Sequence, residues 1–101
     1  MNAFQFLELA NKYKSEGKID LSIEMLRESG RTASPVGFGP AYLNLHEIMM
    51  RKGDLNEALL ALVNFMNCPV LPSTMDVIPK VKQEIENLTR QLNPTPQNVP
   101  K

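Results

Sequence analysis

The chain has 101 residues, 43 % of them hydrophobic and 22 % charged, enough apolar material for one small folded domain and too much for a disordered tail. Eleven Lys and Arg balance eleven Asp and Glu, without a basic run, which excludes the electrostatic footprint of a protein that binds nucleic acid or an anionic membrane. No apolar run approaches the ~20 residues of a spanning helix, and the single Cys68 excludes an internal disulfide, so the chain reads as soluble and cytoplasmic.

In chain order, Phe6, Leu9, Ala10 and Tyr13 recur at helical spacing, and the pattern stops at Gly17, a residue able to close a helix in the left-handed region. A second helix follows on Ile19, Ile23 and Leu26. The segment RTASPVGFGP then breaks the pattern with Pro35, Gly37, Gly39 and Pro40, Pro40 being suited to the first turn of a third helix. That helix stops at Gly53, behind Arg51 and Lys52, whose charges suit the negative helix end. Asp54 with Glu57 gives the fourth helix a start resembling a capping box.

After CPVLPST, Asp76 is placed to cap a fifth helix with Pro79 in its first turn. Val77, Val81, Ile85, Leu88 and Leu92 form one apolar stripe along it. The remaining NPTPQNVPK reads as a Pro-rich mobile tail or linker.

The first four helices are two copies of one unit. A shift of 36 residues pairs Phe6 with Tyr42, Leu7 with Leu43, Leu9 with Leu45, Gly17 with Gly53, Ser22 with Ala58 and Leu26 with Leu62. Short linkers at the glycines make each copy an antiparallel hairpin. The predicted fold is therefore all-α, a domain over 1–92 with a first unit at about 3–34, a second at about 39–69 and a closing helix at about 75–92, followed by the tail at 93–101.

The A-x-x-Y-x-x-x-G pattern of Ala10, Tyr13 and Gly17, and above all the stretch KGDLNEALLAL from Lys52 to Leu62, resemble the tetratricopeptide repeat. The likeness covers about residues 3–66 and leaves 75–92 as the solvating helix after the last repeat. It implies an α-solenoid whose concave face is lined by the first helix of each hairpin, and a scaffold for protein association rather than an enzyme. On that face it places Leu7, Asn11 and Lys14, then Leu43, Asn44, Glu47 and Met50. Asn11 and Asn44 fall on asparagine positions with which some family members hold a peptide's terminal carboxylate, whereas Leu7 stands where that clamp has a lysine. The apolar members suit a peptide or helix face, with methionine supplying adaptable packing.

No cofactor or metal is expected, since one cysteine and one histidine cannot supply the four ligands of a structural zinc. His46, on the apolar side of its helix, reads as a partly buried, hydrogen-bonded packing residue. Cys68 lies beside Pro69 without the cations that activate a nucleophile. Partners are then a protein or peptide, or a second copy in a homodimer built on the fifth helix, on an exposed hairpin face or on the apolar run at 59–66. An alternative, suggested by the proline-rich tail, is an N-terminal accessory or dimerisation domain of a larger enzyme.

Overall fold

The computed structural model describes residues 1–32 and 38–92. Over these the chain is all-α: α1 (Ala3–Ser15), α2 (Ile19–Thr32), α3 (Gly39–Lys52), α4 (Leu55–Met66), a 3-10 turn (Met75–Val77) and α5 (Ile78–Leu92). Each helix packs on the next in sequence, α1 on α2 through to α4 on α5. The loop residues Pro35 and Gly37 and the tail at 93–101 fall outside the described residues.

The two hinges are the same structure twice. Gly17 and Gly53 have φ of +79° and +78°, a region that costs a residue with a Cβ roughly 1–2 kcal/mol. A Cβ on either would meet nothing within 4 Å, so the glycines are required by backbone conformation and not by space. Lys18 N donates to Tyr13 O at 2.8 Å, and Asp54 N to Met49 O at 2.9 Å, which closes both helix ends in the same Schellman pattern.

The helix starts differ from the sequence reading in two places. Asp54 accepts from Glu57 N at 3.2 Å, but Glu57 does not complete a box. Its carboxylate takes Arg27 of α2 instead, at 2.9 Å. Asp76 is not the cap of α5, because the chain has already entered the 3-10 turn at Met75 and Asp76 lies inside it. The buried Thr74 anchors that turn, its hydroxyl accepting from Leu71 N at 3.1 Å. A reciprocal capping box does occur at the first helix, between Asn2 and Gln5.

The core runs the length of the stack. Leu26 and Leu62, equivalent under the 36-residue shift, are both fully buried, as is Leu88 of α5. The same shift carries Tyr42, Leu45 and Met49 of α3 onto Ile78, Val81 and Ile85 of α5. These α5 residues pack into the shared core, as their α3 equivalents do, so at these three positions α5 matches the first helix of the unit, although its buried Leu88 falls where α3 has the exposed Lys52. It closes the stack because its next residues are polar: exposed Lys82 replaces His46, and Glu84 replaces Ile48. At the other end α1 carries exposed Gln5 and Lys12 where α3 buries Ala41 and Ile48.

Candidate functional site

The side chains expected to line the first helices have unequal surroundings. Leu7, Leu43 and Met50 are half-buried and pack against the core, forming an apolar strip along α1 and α3. Lys14 Nζ reaches Glu47 Oε1 at 3.3 Å, and Arg51 approaches the same oxygen at 3.2 Å. One ion pair thus crosses between the two helices, and one lies within α3. Asn11 is exposed. Asn44 is not free for a ligand in the same way, since its Nδ2 donates to Pro40 O of its own helix at 3.0 Å. The structure therefore links Lys14 to Glu47, leaves Leu7, Leu43 and Met50 each half-buried against the core, and does not present the two asparagines as a matched pair.

His46 sits half-buried with Nδ1 3.1 Å from Ala58 O. A carbonyl only accepts, so Nδ1 carries the proton in this bond. The Cys68 thiol donates to Asn64 O at 3.2 Å, and burial pushes its pKa up. A thiol held protonated is a poor nucleophile. Among the described residues no group of three or more His, Cys, Asp and Glu is gathered to hold a metal, and no helix is long and apolar enough to cross a membrane.

A cleft lies elsewhere, where α2, α3 and α4 meet. It has a volume of about 210 Å³ and is lined by Arg27, Arg31, Tyr42, Glu57, Leu60 and Asn64 among others. A wider depression of about 450 Å³ opens beside it against Asp20, Glu24 and Lys52, with Arg27, paired to Glu57, bordering both. The Tyr42 phenol is raised in pKa by burial and by the neighbouring Cys68, against the opposing pull of Arg31. The sequence reading placed its groove candidates on the first helices and touched this side only through the apolar run at 59–66, which it offered as a dimer surface. The signal was available in the duplication, where the charged outer positions of α2 become uncharged in α4.

No protein-family model, curated protein or solved structure matches the chain.

Proposed function

We propose that this chain is a non-catalytic association module of the tetratricopeptide kind, working in the cytoplasm and holding a peptide or helix of a partner protein along α1 and α3. The supporting observation is the strip of Leu7, Leu43 and Met50, left half-buried on a frame whose two hairpins share one hinge geometry. Half-exposed aliphatic and thioether side chains beside a fixed ion pair suit an amphipathic segment, with apolar contact giving affinity and Lys14, Glu47 and Arg51 giving orientation. The cytoplasmic assignment is supported by one half-buried thiol.

The reading is tested by panning the intact chain against a displayed peptide library. An enriched motif is expected, and its binding should fall on Met50→Lys and on Asn11→Arg, an exposed position whose replacement leaves folding alone. Absence of enrichment, or binding indifferent to both variants in proteins of unchanged melting temperature, overturns it.

A further inference from the structure

The outer face of α4 carries a seam that α2 lacks. Asn56, Leu60, Val63 and Asn67 follow a four-three-four spacing, which places them in one narrow stripe along the helix. Leu60 is 49 % and Val63 40 % exposed, and both asparagines are exposed. Under the 36-residue shift the same four positions in α2 are Asp20, Glu24, Arg27 and Arg31. The first hairpin thus carries four charged side chains, all exposed but the half-buried Arg27, at the places where the second shows two aliphatic side chains between two amides. Beyond Glu57, α4 contains no ionisable residue.

We propose that this seam pairs with the α4 seam of a second copy of the chain, antiparallel across a two-fold axis midway between Leu60 and Val63. The occupant follows from self-complementarity. About that midpoint Leu60 meets the second copy's Val63, and Asn56 meets its Asn67, with each contact repeated by symmetry. Both amides carry a donor and an acceptor, so an asparagine pair satisfies itself and fixes the register, which an aliphatic pair alone does not. Antiparallel α4 helices also oppose their dipoles. A charged partner is disfavoured because the stripe itself is uncharged, and the arginines on the cleft that Leu60 also lines are already paired, Arg27 to Glu57 and Arg31 to Glu28. Head-to-tail stacking of copies is obstructed, since α5 covers one end of the stack and α1 shows Gln5 and Lys12 at the other. A seam four residues long is small by interface standards, so the dimer is weak and depends on concentration.

The inference rests on reading the chain as an association module and names a second partner surface, separate from the strip on α1 and α3. Sedimentation equilibrium of the full chain from micromolar to millimolar concentration tests it. Wild type should pass from monomer to dimer. Leu60→Lys with Val63→Lys should weaken the dimer at least about thirtyfold, as expected for charges buried without partners, while helical content and melting temperature stay unchanged. Leu60→Glu with Val63→Lys should dimerise more strongly than the like-charge variant, because antiparallel pairing sets Glu against Lys. A wild type that remains monomeric, or a like-charge variant that associates as well as wild type, overturns the proposal. Equal loss in the two double variants overturns the antiparallel register. Peptide capture by α1 and α3 is read separately, so a monomeric wild type with intact capture removes the seam and leaves the association reading standing.

Discussion

His46 Nδ1 donates to the carbonyl of Ala58 at 3.1 Å, and the corresponding bond one unit earlier runs the opposite way. There Ser22 Oγ of the second helix donates to Ala10 O of the first, at 2.8 Å. Ala10 is equivalent to His46, and Ser22 to Ala58. At this level each hairpin has a bond between its helices, but the donor has changed sides and the small residue has changed with it.

The exchange predicts a specific non-additivity. Ser22→Ala should cost about 1 kcal/mol, the net worth of one neutral hydrogen bond. His46→Ala should cost about 2 kcal/mol, because ring packing is lost as well. Adding Ala58→Ser to His46→Ala should recover about 1 kcal/mol by restoring the first hairpin's arrangement, whereas Ala58→Ser alone should destabilise by crowding the imidazole. Urea melts of the four variants check this.

A second exchange lies two helix turns further along. Ser29 Oγ donates to Ala3 O at 2.7 Å, and the equivalent pair is Phe65 with Gly39, where an added Cβ would stand 3.1 Å from the Phe65 ring. Gly39→Ala sets this crowding against the helix propensity that alanine gains over glycine, so it should be clearly more favourable in a Phe65→Leu background than in the wild type. A double-mutant cycle with no coupling would contradict the contact.

The hinges predict a different pattern. Gly53→Ala and Gly17→Ala should each cost about 1–2 kcal/mol through left-handed backbone, and asparagine at either site should cost less. Because neither site is crowded, the penalty should not grow with side-chain size among unbranched residues. Thermal melts of Ala, Gln and Met variants measure it.

Alkaline pH should weaken the fold. The Cys68 and Tyr42 pKa values are raised by burial, so the folded chain keeps these protons to higher pH than the unfolded chain does. Stability from this source is complete below the unfolded values and is lost as pH rises through the folded ones. The decline should begin in the ordinary range of a thiol and a phenol, roughly pH 8.5 to 10. Cys68→Ala and Tyr42→Phe should each flatten that limb of a denaturation series.

The parts of this fold legible in the sequence are those governed by local chemistry. Gly17 and Gly53 mark helix ends because few other residues accept their φ, and the stripe of α5 shows in its spacing. Leu7, Leu43 and Met50 were singled out through the likeness to the tetratricopeptide repeat, with helical spacing in support, and each is half-buried against the core. Three features were not legible, one because it depends on a partner across the stack and two because they depend on local backbone and side-chain choices that residue spacing does not fix. Glu57 serves Arg27 instead of its own helix start, Asn44 turns its amide to Pro40, and Asp76 is overtaken by the 3-10 turn. The match of α5 to the first helix of the unit at Ile78, Val81 and Ile85 was hidden by divergence at the positions that end the array, where Lys82 and Glu84 replace His46 and Ile48.

Those end positions also set how long such an assembly can become. Polymer growth by this shape requires a sticky leading flank and a sticky trailing flank, and this chain disables each by a different means. Deleting α5 alone would bare apolar surface without giving it a fitting mate, and changing Gln5→Ala with Lys12→Ile alone would do the same at the opposite end. Only the two together should convert a finite particle into filaments, with onset visible in light scattering. Two independent safeguards mean that no single mutational step at the ends opens the route to fibres.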